Sequence, residues 1–374
     1  MLRLVAAVGL LVATPLLDGT GGTEPQPATD PAAQTAQQRT LRGVQLHPLW
    51  SDTSVRAFDR ELDLARKSGA NAVRIDISWS SLELRRKRRF DRDYVKRADT
   101  FLSHARRRGL KVVANLWSTP CWASVAPAEV KRGCRGRWWR RGLYRYAPRR
   151  ARDYADAAAW VARRWGHVLA ALEVWNEPNL TRNHLHGVDD PAATYAGILR
   201  AAYPRVKAVA PRLPVLGGVL AFSDGEFLER LYQHGIAGHH DGISIHPYNE
   251  WRDPDDPWKP EWRKYSFREG VPWIHYIMDA HGEGGKGIWL TEFGFSTCRE
   301  GDRWCVSERE QAEYIGDSFR IAAQWPYVRA AIAYNLRNKG WDPDDREDQF
   351  GLVRRSFERK PGYGAFREAM RARR

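Results

Sequence analysis

The sequence predicts an α/β chain folded as a single (β/α)8 TIM barrel, and three observations carry that expectation. From Leu41 onward, apolar runs of strand length alternate with longer stretches of helical period, the pattern of parallel strands joined by crossover helices. Eight such units can be counted before the chain ends. No glycine-rich phosphate-binding turn follows the first strand, as a doubly wound nucleotide-binding sheet would require, while polar and aromatic residues gather at the strand ends, where a barrel builds its site.

Taken in order, the expected strands are Arg42 to His47, Ala72 to Ser78, Leu110 to Leu116, Leu169 to Trp175, Pro214 to Val219, Gly242 to His246, Gly287 to Glu292 and Ala330 to Asn335. The plainest helix runs from Asp91 to Arg108. It sets Tyr94, Ala98, Phe101, Leu102 and Ala105 on one stripe, leaves the arginines to the other face, and stops at Gly109.

Composition bounds the rest. With 374 residues, 43% hydrophobic and 11% aromatic, the chain can bury a large core, which excludes disorder over most of its length. Arg3 followed by the apolar run Leu4 to Leu17 is short for a bilayer span and suits a signal peptide. The expected organisation is therefore a signal peptide at 1–17, a Gly-, Thr-, Pro-, Ala- and Gln-rich linker at 18–40, and a catalytic barrel at 41–374. An uncleaved anchor or a buried helix are the alternatives at the N-terminus, since no neat small-residue triplet marks a cleavage site.

The mature form is expected outside the cell or at the cell wall, without a membrane span. In an exported protein, the local pairs Cys121 with Cys134 and Cys298 with Cys305 read as loop-stapling disulfides. Neither spacing is the short step of a zinc knuckle. The formal charge of +15 favours an acidic partner, whether uronate-bearing polysaccharide, anionic wall or nucleic acid. Runs such as Arg85 to Arg89 and Arg106 to Arg108 also read as solvated faces.

Two segments carry chemistry. Trp175-Asn176-Glu177-Pro178-Asn179 closes the fourth strand, and Leu290-Thr291-Glu292-Phe293-Gly294 closes the seventh. Strands four and seven face each other across an eight-stranded ring, so the two glutamates can meet over the barrel mouth. Retaining glycoside cleavage asks for such a pair about 5 to 5.5 Å apart, one protonating the departing oxygen and the other attacking the anomeric carbon. Arg74, which alternation points into the barrel with Asp76, and Tyr248 in His246-Pro247-Tyr248 could keep one of the pair ionised.

These residues resemble clan A glycoside hydrolases, nearest the family 39 beta-xylosidase-like branch among cellulase-like barrels. The resemblance runs from about Leu41 to the end. Thr119-Pro120-Cys121-Trp122-Ala123, His246-Pro247-Tyr248 and Phe350-Gly351-Leu352-Val353 reinforce it in the right order. It implies Glu177 as general acid/base, Glu292 as nucleophile, Asn176 on the sugar 2-hydroxyl, and Tyr248 and Arg74 orienting the nucleophile. It also implies catalysis without metal or organic cofactor. The chain departs at the eighth strand, where the clan commonly places a tryptophan under the sugar and this sequence has Tyr334-Asn335-Leu336-Arg337.

Further candidates for the sugar are His246, His47, Asn115, Trp79, Trp117 and Asn335, each at or near a strand end. For His47 and Asn115 a hydrogen bond one step behind the site is the competing role. Arg337 would meet a substrate anion or pair with a loop acid such as Asp342. Glu173, four residues before Glu177, reads as a buried ion-pair partner. His184, His186 and the His239-His240-Asp241 run read as solvated or capping; the long loop from Pro120 to Pro148 reads as substrate-binding, with Trp138 and Trp139 either a lid or a structural clamp.

The expected partner is a poly- or oligosaccharide, acidic or neutral, and nucleic acid is not expected. The sugar, endo or exo action and the oligomeric state are not fixed. A catalytically silent carbohydrate-binding barrel and a transglycosylase are the rival functions, with a protein that binds anionic polymer by charge behind them.

Overall fold

The computed structural model describes residues 40–50, 52–180, 184–299 and 304–372, so the expected signal peptide and nearly all of the linker lie outside the described residues. Eight strands, β1 Leu41–Gln45, β2 Ala72–Ser78, β3 Lys111–Trp117, β4 Leu169–Val174, β5 Val215–Ala221, β6 Gly242–His246, β7 Ile288–Phe293 and β8 Val328–Ala333, close in chain order into a parallel barrel. They alternate with eight main helices, α1 Val55–Ser68, α2 Arg92–Arg107, α3 Ala151–Trp165, α4 Pro191–Val209, α5 Gly225–Gln233, α6 Phe267–Ala280, α7 Glu308–Ala322 and α8 Pro361–Arg371. The predicted (β/α)8 barrel is the observed fold.

Local chemistry sets the elements. Asp91 caps α2 by accepting from the Tyr94 N–H, and Gly109 takes the left-handed conformation, at φ +69, that ends the helix cleanly. The predicted stripe faces the sheet, with Ala98, Phe101, Leu102 and Ala105 buried. Burying a side chain such as Phe101 stabilises by about 1.5–3 kcal/mol. Strands covered on both faces need continuous apolar sequence, and all seven residues of β5 are buried.

Several strand ends differ from expectation by one or two residues, and two of these shifts move site candidates off the strands: His47 lies past β1, and Tyr334-Asn335 past β8.

Inside the barrel, Val113, Ala171, Leu216, Trp289 and Ala330 form an apolar floor. Pairing register puts polar residues above it. Gln45 lies opposite Arg74, Asp76 opposite Asn115, and Asn115 opposite Glu173, so neighbouring strands raise polar side chains toward the catalytic mouth. Both expected disulfides are formed, Cys121–Cys134 in the loop between β3 and α3 and Cys298–Cys305 between β7 and α7. Among the described residues no helix is long and apolar enough to cross a membrane.

Candidate active site

The site grows from Arg74, which is wholly buried and stands in the middle of the polar layer. Its guanidinium donates to Glu173 Oε2 at 2.6 Å, to Gln45 Oε1 at 3.1 Å, to Asn176 Oδ1 at 3.1 Å, and in a very short contact to Glu292 Oε1. Glu173 is thus the buried ion-pair partner that strand alternation predicted, and it accepts as well from the Ser244 hydroxyl at 2.5 Å. Burial opposes charge on Arg74, but Glu173 and Glu292 outweigh it and raise its pKa. The Tyr248 hydroxyl donates to the other oxygen of Glu292, at 2.8 Å. One carboxylate is therefore fixed by a cation and a phenol.

A backbone irregularity aims it. The pairing of β7 with β8 slips between Leu290 and Phe293, so that Thr291, bonded to Ser244 at 2.6 Å, and the adjacent Glu292 both contact groups of the barrel interior. In an unbroken strand consecutive residues would point to opposite faces.

Glu177 stands across the mouth in a different setting. Trp175, with φ 73, and Glu177, with φ 44, occupy the left-handed region, which costs a non-glycine residue about 1–3 kcal/mol. Backbone hydrogen bonds hold the turn: Trp175 N–H reaches Leu116 O and Tyr154 Oη at 3.0 Å each, and Glu177 N–H reaches Val219 O at 2.8 Å. The carboxylate meets two imidazoles, His246 Nδ1 at 2.8 Å from Oε1 and His184 Nδ1 at 3.2 Å from Oε2. Burial pushes the Glu177 pKa up, but the two imidazoles overcome it and hold the carboxyl below its usual range. His246 moves the other way, since burial is outweighed by the Glu292 charge and the contact with Glu177.

An oxygen of Glu177 and an oxygen of Glu292 lie within 4.8 Å of each other, with His246 between them. These three residues offer a metal-sized donor set, but the Arg74 guanidinium already supplies the cation beside Glu292. The arrangement suits nucleophilic attack by one carboxylate with proton transfer by the other.

A cleft of about 480 Å³ opens above them, lined by Asn176, Glu177, Tyr248 and Glu292 and, among the other candidates, by His47 and Trp117. His47 lies 3.2 Å from Asp76 and packs at a tilt against Trp50 with centroids 4.1 Å apart. Burial raises the Asp76 pKa, yet His47 and Arg74 prevail and hold it low.

Several candidates lie elsewhere than expected. Trp79 does not reach the cleft: it is fully buried, its indole N–H bonded to Glu83 at 2.7 Å and its ring packed edge-on to Trp122 and Tyr154. Asn335 is buried as well, because Tyr334 takes the position facing the lumen and packs on Tyr248 and Phe350. Asn115 sits behind the wall, 2.9 Å from Asn176 and, with its amide turned, 2.9 Å from Asp76. His246 also lies behind the carboxylates rather than in the cleft, and Arg74, buried beside it, bonds Glu292 in the orienting place the resemblance implied. Arg337 pairs at 3.3 Å with Glu61, not with Asp342.

His184 was expected in a solvated or capping role and instead touches Glu177. Sequence distance hid this, since the turn after β4 folds back so that Trp175 Nε1 donates to His184 O at 2.6 Å. His240 is likewise buried, 2.7 Å from Glu283, rather than solvated. Of the two loop tryptophans, Trp138 is buried and Trp139 exposed. Trp50, Tyr144, Tyr334 and Lys339 line the cleft without having been singled out for it, and no period or spacing marks such loop residues.

Among solved structures, the chain is similar to a family 39 glycoside hydrolase from the gut symbiont Bacteroides cellulosilyticus WH2, with TM-score 0.70 and 22% identity over 89% of this chain. It spans 64% of that protein's length. A glucosidase from Croceicoccus marinus is similar at TM-score 0.66 and 17% identity, covering 89% of this chain and 67% of that one. A beta-glucosidase from Pyrococcus furiosus follows at TM-score 0.62 and 14% identity, covering 88% and 94%. At these identities the likeness is one of fold. No curated protein matches the sequence. The model of the cellulase family, glycosyl hydrolase family 5, matches residues 30–345, which is most of the chain, and the protein belongs to that family of glycoside hydrolases.

Proposed function

We propose that the protein is an exported retaining glycosidase that cleaves O-glycosidic bonds of a poly- or oligosaccharide by double displacement, with Glu177 as general acid/base and Glu292 as nucleophile. The observation that carries this reading is the approach of the two carboxylates to within 4.8 Å. So close an approach fits a retaining pair, whose carboxyl groups stand about 5–5.5 Å apart, and not an inverting pair, which stands about 6.5–9.5 Å apart to admit water.

The asymmetry of their surroundings supports this division of roles. Glu292, gripped by Arg74 and Tyr248, is held in place for attack on the anomeric carbon, while Glu177, between two imidazoles, can exchange protons. As the glycosidic bond breaks, Glu177 gives its proton to the departing oxygen and Glu292 becomes a glycosyl ester. Glu177 then takes a proton from water, which attacks the ester and frees Glu292. The two disulfides are compatible with an extracellular protein, and we assign export to residues 1–17 and a linker to 18–40.

Labelling with a panel of activated 2-deoxy-2-fluoro glycosides, read by intact mass and peptide mapping, tests the reading. A stable adduct on Glu292, absent in Glu292→Gln, is expected. No adduct from any donor, alongside ordinary polysaccharide binding, would move the assignment to a silent carbohydrate-binding barrel.

A further inference from the structure

We propose that the loop between β3 and α3 binds an anionic glycan, so that the substrate chain carries carboxylate or phosphate groups where it lies over this loop and a neutral unit where it meets the two glutamates. This rests on the retaining-glycosidase reading and adds the class of substrate. From Lys131 to Arg152 the sequence has ten Lys and Arg and no Asp or Glu. Among the described residues none of the ten makes an ion pair within 4 Å, although the neighbouring Lys87 pairs with both Asp153 and Asp156. Elsewhere on the surface some arginines are matched, Arg108 with Asp59 and Asp63, and Arg164 with Asp99, while others such as Arg66 and Arg106 make no ion pair among the described residues, so what sets this segment apart is ten cations with no acid among them. A crowd of unmatched like charges repels itself and stabilises nothing until an anion arrives.

The loop is built to hold those charges in place. The Cys121–Cys134 disulfide and an apolar nucleus of Cys121, Ala126, Trp138 and Leu143 give it a core of its own. Arg141 is spent on structure, donating to the carbonyls of Val130, Lys131 and Arg135. Trp139, 45% exposed, stands between Arg137 and Arg140, which are exposed too. An open indole offers a face to sugar C–H groups, and flanking guanidiniums offer paired donors to carboxylate or phosphate. The basic run Arg85 to Arg89 joins the same body, since Leu84 packs on that nucleus and Trp122 Nε1 donates to Glu83 O at 2.7 Å.

This surface is continuous with the site. Tyr144 and Arg145 of the loop line the cleft, and the Tyr144 ring lies 6.1 Å from Trp117, itself 5.0 Å from His184 beside Glu177. Across the cleft the cations are already neutralised, Lys339 by Glu347 at 2.6 Å and Arg346 by Glu250 at 3.0 Å. Asp76 and the reacting pair of glutamates, with one negative charge between them in the proposed cycle, add negative charge at the reacting centre. A carboxylate-bearing sugar would be repelled there and attracted one step away.

The full chain is titrated with polygalacturonate for carboxylate, with a glycerol-phosphate teichoic acid for phosphate, with fully methyl-esterified polygalacturonate, and with duplex DNA. The comparison variant carries Arg135→Gln, Arg137→Gln and Arg140→Gln, three exposed positions outside the cleft lining; its control carries Lys at the same positions. One of the two anionic glycans should bind at least about tenfold tighter than the neutral ester, with steep salt dependence. The glutamine variant should lose about that factor and the lysine control should not.

Labelling of Glu292 by a small fluoro glycoside should be equal in all three proteins. Oligomers of the preferred glycan should slow it in the wild type and not in the glutamine variant. Equal affinity for charged and neutral polymer, an unchanged glutamine variant, or no slowing of labelling would overturn the proposal, and a preference for DNA over both glycans would replace it with nucleic-acid binding. If charge-dependent glycan binding persists where no donor labels any of the proteins, the glycosidase reading fails and the anion-binding loop stands.

Discussion

Replacing His184 by Phe isolates one of the two imidazoles that act on Glu177. The substitution keeps a ring against Trp117, whose centroid lies 5.0 Å away in an edge-on arrangement, and keeps the backbone carbonyl that accepts from Trp175. What it removes is a nitrogen 3.2 Å from Glu177 Oε2. Contacts of a charged group with a hydrogen-bonding partner contribute about 1.5–3 kcal/mol; at this length the lower end applies, which is about one pH unit in the carboxyl pKa.

The sign follows from the role of the contact. His184 favours the ionised carboxylate, so its loss raises the Glu177 pKa, and an acid that must be protonated to act then stays active to higher pH. The alkaline limb of kcat/KM for an activated aryl glycoside should move up by about one unit, with folding stability little changed. A limb that stays in place or moves down, in a variant that melts like the wild type, would refute the argument that His184 sets the proton affinity of Glu177.

Other perturbations have equally definite outcomes. Tyr248→Phe deletes the hydroxyl donating to Glu292 at 2.8 Å; the rate of adduct formation should fall about ten- to a hundredfold, for a contact of about 1.5–3 kcal/mol, without loss of fold. Arg74→Met leaves Glu173 and Glu292 buried without their cation and should destabilise by about 3–5 kcal/mol in urea unfolding, more than a surface charge ever costs. Cys121→Ser opens the loop whose ends are 13 residues apart and should cost about 3 kcal/mol, with Trp138 fluorescence shifting as the loop nucleus loosens.

Lys360 donates to Thr297, Asn338 and Gln349, and burial pushes its pKa down to about 7. The unfolded chain therefore holds more protons than the folded one between pH 7 and the ordinary lysine value. Stability should rise with pH across that window in the wild type, measured by urea midpoints, and the slope should flatten in Lys360→Met.

The sequence made the barrel legible because its code is repetitive: eight apolar runs, eight amphipathic stripes, and glutamates at the two strand ends that face each other. The α2 stripe and the inward direction of Arg74 and Glu173 follow from period alone; both are observed, and the structure makes those two residues each other's ion-pair partners. What escaped depends on chain folding back across sequence distance. His184 reaches Glu177 through a turn in left-handed conformation, and Tyr334 rather than Asn335 faces the lumen because β8 ends at Ala333. Trp79 carries the same strand-end signature as Trp117 but starts a short helical turn that buries it. Alternation cannot separate such cases, because it stops applying at the residue where the strand stops.

The charges around His246 show why so much of the proposed chemistry can be fixed in advance. Its Nδ1 lies 2.8 Å from Glu177 and 3.8 Å from Glu292. In the proposed cycle the negative charge of the reacting pair rests on Glu292 before the first displacement, while Glu177 holds the proton. Afterwards Glu292 is a neutral ester and Glu177 the carboxylate. The imidazole therefore faces one negative charge at each stage, and buried Arg74, bonded to Glu292 and to Asn176 beside Glu177, is in the same position. Charge passes between two carboxylates about a stationary cationic centre, so no buried group has to reorient as the bond breaks. Preorganisation of that kind is where most electrostatic rate enhancement arises, and here it depends on the register that brings β2, β4, β6 and β7 to one height in the barrel mouth.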